Sequence, residues 1–363
     1  MKSSASIAAR NPRRIPANTL AAFASFGLTL GLVVALTGCS GDGTTFGDTN
    51  GAPSTGVYVI QNTPATTTPA AAATGTILQF STDASGAATP VSTIANLNVT
   101  SLGFLAVDGT GNIYTAATEG TTGSTILEFP VDSSNNAQPT RSIPFNATTG
   151  LTTMSALSTD AAGDLYASNT SGGISIFNSP ATGSVAPTST VTITSTAGPQ
   201  ATAVDPSGKL YVATAPPLNS IPIAPIEVFA PGATTPSNSL GGALTTLGVG
   251  SPQGLATDSA GNLYVANVVS GVSSILIFEP GATGNTPPLR DITGSATELG
   301  CVGGIALDNE GYLYVVSTPT CGSTATPTVL KFSTTGDGNI PPVATFTSAA
   351  WTNADPTLSI AVY

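Results

Sequence analysis

The sequence predicts an all-β chain folded as a six-bladed β-propeller of four-stranded blades, with the ring closed by the C-terminal strand. Three observations predict it. A unit of about fifty residues occurs six times between Gly56 and Tyr363, marked by Phe80, Phe129, Phe177, Phe229, Phe278 and Phe332 at spacings of 49, 48, 52, 49 and 54 residues. An Asp-x-x-Gly turn followed by a tyrosine recurs inside the units. The first unit lacks its first strand, and the C-terminal segment that follows the sixth unit supplies it. A period of this length means stacked or radially arranged supersecondary units, and four-stranded units set around a centre make a propeller.

The chain opens with a segment that does not belong to the repeat. Residues 1–18 carry Lys2, Arg10, Arg13 and Arg14 and no acid, and residues 19–36 are almost wholly small and apolar. That is the layout of a secretory signal peptide. The next residues, Leu36-Thr37-Gly38-Cys39, resemble the bacterial lipobox. The resemblance implies that residues 1–38 are removed as a lipoprotein signal peptide and that Cys39 is lipidated. Ser40 behind it implies onward sorting to the outer membrane where the organism has one. An uncleaved membrane anchor is the alternative, because such a segment is just long enough to span a bilayer. Arg13-Arg14 is followed by Ile15-Pro16 and does not read as a twin-arginine signal.

Residues 39–55 read as the lipidated cysteine and a flexible tether of Gly, Ser, Thr and Asp, with a reach on the order of 20–24 Å. Gly41 to Gly47 resembles a phosphate loop only in its glycines. It has no lysine, no strand before it and no helix after it.

Residues 56–363 form the propeller, and the unit at 253–293 shows its parts most clearly. Gln253-Gly-Leu-Ala-Thr-Asp258 is the first strand and Ser259-Ala-Gly261 a turn. Asn262-Leu-Tyr-Val-Ala-Asn267 alternates as the second strand, and Ser274-Ile-Leu-Ile-Phe278 is the third. A Gly/Pro-rich stretch leads to the fourth strand at Leu289–Thr293. The turn pairs are Asp108 with Gly111, Asp160 with Gly163, Asp205 with Gly208, Asp258 with Gly261 and Asp308 with Gly311. Asp can bond the turn backbone and glycine accepts φ > 0, so these residues read as turn formers and not as metal ligands. Tyr114, Tyr166, Tyr211, Tyr264 and Tyr314 follow each glycine by three positions. Pro90, Pro139, Pro187, Pro236, Pro287 and Pro341 precede the outermost strands, where an edge tolerates the missing donor.

The first unit opens on Gly56-Val-Tyr58-Val-Ile60, a second strand, and lacks a first. Thr357-Leu-Ser-Ile-Ala-Val-Tyr363 matches the first-strand pattern of Gly254–Asp258. The C-terminus therefore supplies the innermost strand of the blade that Gly56 begins. The runs Gly-Leu-Ala-Thr-Asp-Ser-Ala-Gly-Asn-Leu-Tyr-Val-Ala-Asn (254–267) and Gly-Gly-Ile-Ala-Leu-Asp-Asn-Glu-Gly-Tyr-Leu-Tyr-Val-Val (303–316) resemble NHL-type propeller repeats. The resemblance covers roughly 56–363 and implies fold far more than function. The outer loops are longer than in a compact NHL unit, and the histidine of the family's name is absent.

Charged residues are only 7% of the chain, against about 25% in ordinary domains. Behind Cys39, four bases (Arg141, Lys209, Arg290, Lys331) face nineteen acids, a net charge of −15. Such a surface repels nucleic acid, so no nucleic-acid partner is expected. Each of the four bases reads as surface solvation. Cys301 and Cys321 flank the first two strands of the sixth unit and come to the same end of one blade. Export permits oxidation, so they are expected to form a disulfide; two free thiols or a redox pair are the alternatives.

The chain has no histidine, which removes Ser-His-Asp and Cys-His nucleophile systems and the commonest general base. Related six-bladed gluconolactonase-like enzymes use an acidic metal site in the central channel, and virginiamycin-lyase-like propellers use a histidine. Here the channel positions are Leu102-Gly-Phe, Met154-Ser-Ala, Gln200-Ala-Thr, Gln253-Gly-Leu, Val302-Gly-Gly and Leu358-Ser-Ile, and none is a carboxylate. No catalytic, cofactor or metal residue is assigned, and no cofactor is expected.

The reading is a non-catalytic, monomeric, lipid-anchored envelope protein, extracytoplasmic at the outer membrane or cell surface. It contacts the membrane through its N-terminal lipid and binds a protein or glycan on one propeller face. The alternative is a propeller lyase or lactonase-like hydrolase with an unrecognised site. The binding face is expected to include Pro199-Gln200, Pro252-Gln253, Asn267, the cysteines and the apolar, proline-rich loop 212–225. Trp351 is expected to pack at the ring closure.

Overall fold

One carboxylate can satisfy several donors of a tight turn at once, and the repeated hairpin is built on that. In the computed structural model, Asp108 Oδ1 accepts from the backbone N–H of Thr110 (2.9 Å) and of Asn112 (3.0 Å). Gly111 N–H donates to Asp108 O (3.0 Å), and Gly111 sits at φ 86°. The same two carboxylate bonds recur at Asp160, Asp205, Asp258 and Asp308. The structure describes residues 55–67, 70–95, 97–119, 123–195, 198–214, 226–247, 251–322, 325–351 and 359–363. The signal peptide, Cys39, nearly all of the tether and most of the 212–225 loop lie outside these residues.

Each turn joins the first two strands of a four-stranded antiparallel blade. Blade 2 runs Ser101–Val107, Ile113–Glu119, Gly123–Phe129 and Arg141–Pro144, paired in sequence order. Blades 3 to 6 repeat this from Met154, Pro199, Ser251 and Cys301. Blade 1 consists of Val57–Thr63, Thr74–Phe80 and Ser92–Ile94, with Ile360–Val362 as its inner strand. Val57 pairs with Val362, Tyr58 with Ala361 and Val59 with Ile360. Gly56 and Tyr363 exchange two further backbone bonds of 3.1 Å. The C-terminal strand closes the ring.

The core is divided among the seams between blades. Each seam holds the tyrosine of one blade's second strand and the phenylalanine of the next blade's third strand. Tyr58 shares a buried cluster with Phe129, Tyr114 with Phe177, Tyr166 with Phe229, Tyr211 with Phe278 and Tyr264 with Phe332. Tyr314 meets Phe80 at the closing seam, where Trp351 packs on Phe80 and Phe346 with ring centroids 5.5 and 5.9 Å apart.

Three of the four bases are not solvated as expected. Lys331 is buried, donates to Thr82 O of blade 1 (2.9 Å), and lies 3.9 Å from the Tyr312 ring centroid. Arg290 donates to Thr334 O and Gly336 O of blade 6. Arg141 pairs with Glu128 and donates to Tyr114 Oη (2.8 Å). Their long apolar stems cover seam surface while the charged ends find oxygens there.

Candidate ligand-binding channel

The six inner strands surround the axis, and at one end they enclose a cavity of about 650 Å³. Its position follows from a recurring irregularity. The pairing of the first and second strands shifts register at Phe104, Ser155, Gln200, Gln253 and Gly303–Gly304. A β-bulge inserts an extra residue and re-aims its side chain. Every one of these bulged residues lines the channel mouth, and Ser359 joins them from the closing strand. Deeper in, Leu105, Leu157, Leu255, Ile305 and Ile360 form an apolar ring, with Thr202 among them. Gln200 and Gln253 are exposed at the mouth.

Cys301 and Cys321 form the expected disulfide, with Cα atoms 4.8 Å apart, and both line the mouth. The Asp-x-x-Gly turns lie at the far ends of the same inner strands, on the opposite face. Gly56 and Tyr363 are also on that turn face, since an alanine-sized group at Gly111 would meet the Tyr363 ring. Asn267 does not join the mouth. It is buried and donates to Thr246 O (3.2 Å).

The channel lining carries no carboxylate, amine or guanidinium among the described residues. Asp291 and Asp337 meet at an outer seam, where the Asp291 N–H donates to the Asp337 carboxylate (3.1 Å). No group of three or more acid or thiol donors that could hold a metal occurs among the described residues. The wall therefore offers amides, hydroxyls, one aromatic side chain and aliphatic surface. These groups can donate, accept and exclude water around a neutral ligand, and none of the described lining residues is suited to general acid–base work at neutral pH.

On the turn face the carboxylates reach further than turn formation requires. The hydroxyl of each following tyrosine donates to the second oxygen of its aspartate, at 2.9 Å for Tyr114 and 3.1 Å for Tyr314. Burial, then the Asp205 carboxylate, pushes Tyr211 up to about 12. Tyr114, Tyr166, Tyr264 and Tyr314 are raised by the same two causes. Burial raises the Asp108 carboxyl, but hydrogen bonds from Asn112, Thr110 and Tyr114 outweigh it and hold the group below the ordinary carboxylate value. These aspartates are occupied within the fold.

The triplets expected at the channel supply its mouth in every blade, apart from Leu358, which lies outside the described residues. Which residue of each triplet lines the cavity was not legible, because a bulge depends on pairing with the second strand. The face residues Gln200, Gln253, Cys301 and Cys321 are at the mouth as expected.

No family model matches the chain, and no curated protein matches it. Among solved structures it is similar to a protein of unknown function from Bacteroides caccae, at 12% identity and a TM-score of 0.55 over 85% of this chain and 99% of that one. It is also similar to the WD40 domain of Toxoplasma gondii coronin, at 13% identity and a TM-score of 0.42 over 67% of this chain and 58% of that one. A third similarity, to U3-55K, has 15% identity and a TM-score of 0.45 over 67% of this chain and 63% of that one. At these identities the first likeness speaks to the fold alone, and the other two carry no weight.

Proposed function

We propose that this protein is a non-catalytic envelope lipoprotein whose NHL-type propeller binds an uncharged ligand at the channel mouth. The observation that carries the binding reading is the set of bulges. Five separate blades each break their pairing at the same level, and each break places a residue at the mouth. Bulges of this kind mark places where a sheet re-aims side chains for use. The neutral wall supports binding over turnover.

The lipoprotein part rests on the Leu36–Cys39 motif and the apolar segment before it. The propeller would act as a monomeric receptor or scaffold at the outer membrane or cell surface.

Two measurements test this. Detergent phase partitioning of the full-length protein should place it in the detergent phase, and Cys39→Ala should move it to the aqueous phase; equal partitioning of both would sink the lipid anchor. Affinity capture from envelope extract should recover a ligand that Gln200→Ala/Gln253→Ala fails to recover. Undiminished recovery by that variant would move the binding site away from the channel.

A further inference from the structure

We infer that the channel mouth is a binding site for an uncharged oligosaccharide, with the Phe104 side chain as the surface on which a sugar ring stacks. This rests on the channel-binding reading above and names its ligand class. Phe104 is held at φ 51°, a left-handed conformation that bulky residues rarely adopt. The bulges at Ser155, Gln200 and Gln253 contain no residue in that region. The conformation is fixed from the ring closure, where Ser359 Oγ accepts the N–H of Leu105 (2.7 Å).

The Phe104 side chain is half-buried and borders two cavities. One is the channel mouth; the other is a space of about 220 Å³ at the seam of blades 2 and 3, walled by Phe145 and Met154 among others. One side of Phe104 packs on the buried cluster at the seam of blades 2 and 3, and the part left half-buried faces the channel mouth. The apolar face of the ring suits the C–H face of a sugar ring.

The other groups fit hydroxyls. The Gln200 and Gln253 amides each carry donors and an acceptor, as does every sugar hydroxyl, and Ser155 adds a hydroxyl on the same level. The lack of charge among the described lining residues favours neutral ligands. A peptide of ordinary composition carries a charged residue about every fourth position, and the described residues of the mouth have no counter-charge to offer. A uronate or phosphate meets the same lack, in a chain of net charge −11. A neutral oligosaccharide has no charge to satisfy. The cavity of about 650 Å³ lies within the range of about 300–1,000 Å³ typical of small-ligand sites.

The test is calorimetric titration of the full-length protein in detergent with maltohexaose, cellohexaose, chitohexaose, hexagalacturonate and an uncharged Ser/Gly/Asn/Thr peptide of matched length. At least one neutral hexasaccharide should bind, and hexagalacturonate should not. Phe104→Asn tolerates the same backbone conformation; it gives up packing on the blade 2–3 cluster, so it should melt lower but still cooperatively, and at a temperature where it is fully folded it should weaken binding at least tenfold, while Phe104→Trp should retain it. Failure of all three neutral sugars, equal binding by Phe104→Asn, or equal binding of hexagalacturonate overturns the inference. If the peptide alone binds, and Gln200→Ala/Gln253→Ala blocks it, the channel reading stands and the sugar assignment falls. If no probe binds, both fall.

Discussion

Tyr58 occupies in blade 1 the place that Tyr114, Tyr166, Tyr211, Tyr264 and Tyr314 hold in the others, yet its hydroxyl is buried and finds no partner among the described residues. The cause is the position of the chain ends. Where another blade has an Asp-x-x-Gly turn, blade 1 has the break between Tyr363 and Gly56, so the aspartate is missing. An unsatisfied buried hydroxyl costs about 1–3 kcal/mol. Tyr58→Phe should therefore leave stability unchanged or raise it. Tyr314→Phe removes bonds to Asp308 and Thr82 and should cost about 1–2 kcal/mol. Urea unfolding of the pair decides it, and equal losses would contradict this account.

Asp108 sets a pH dependence at the same scale. Its folded pKa is depressed, so its contribution is present above the unfolded value near 4 and is lost as pH falls through the folded value. Melting temperature should drop below about pH 4, and Asp108→Asn should flatten that drop. The Asp and Gly roles were legible because turn chemistry is local. The Asp–Tyr bond was not, because six residues separate the partners and only hairpin register brings them together.

The Pro/Gly-rich outer loops prove to be fasteners. Each reaches back to the outermost strand of the preceding blade with backbone bonds: Asn135 N to Thr93 O, Gly183 N to Ser142 O, Gly284 N to Ser239 O and Gly338 N to Asp291 O. Thr192 N donates to Thr234 O between blades 3 and 4, and Ala88 N to Thr347 O between blades 6 and 1. All six seams are bridged in this way. The fasteners also cover edges that would otherwise invite pairing with another chain. Asn285 and Asn339 add side-chain bonds of 2.7 Å to Leu244 N and Ala296 N of the preceding blade. Asn285→Ala and Asn339→Ala should each cost about 1 kcal/mol. They share no partner, so the double variant should show the sum; a markedly larger loss in denaturant titration would mean that the seams are coupled. The prolines were legible as edge markers, and in the structure the residue after each proline or proline pair makes the first ladder bond, as Val91 N does to Gln79 O and Val343 N to Lys331 O. The reach of the loops was not legible, since glycine and proline report a turn and say nothing of what it touches.

At the scale of the ring, a short strand carries disproportionate weight. Ile360–Val362 completes blade 1, abuts the inner strand of blade 2 and, through Ser359, holds the Phe104 bulge. Removing residues 359–363 should cost at least about 5 kcal/mol, a large share of the roughly 5–15 kcal/mol that stabilises a domain. Melting should fall by about 10 °C or more at this chain size. A truncation that melts with the full-length protein would show that the ring holds without its clasp.

The sequence by itself determined the period, the strand count, the turn residues, the clasp and the cysteine pair. These follow from local propensity and from arithmetic on a repeat, both of which survive without coordinates. Only the tertiary structure decided where Arg141, Arg290 and Lys331 end, which hydroxyl lacks an acceptor, and which residue of each inner strand lines the channel. Those outcomes depend on the register between strands and on how one blade lies against the next. Both are set by packing between residues far apart in the chain, so the recurrent residues could be read from the sequence, while the non-recurrent ones took their meaning from the ring.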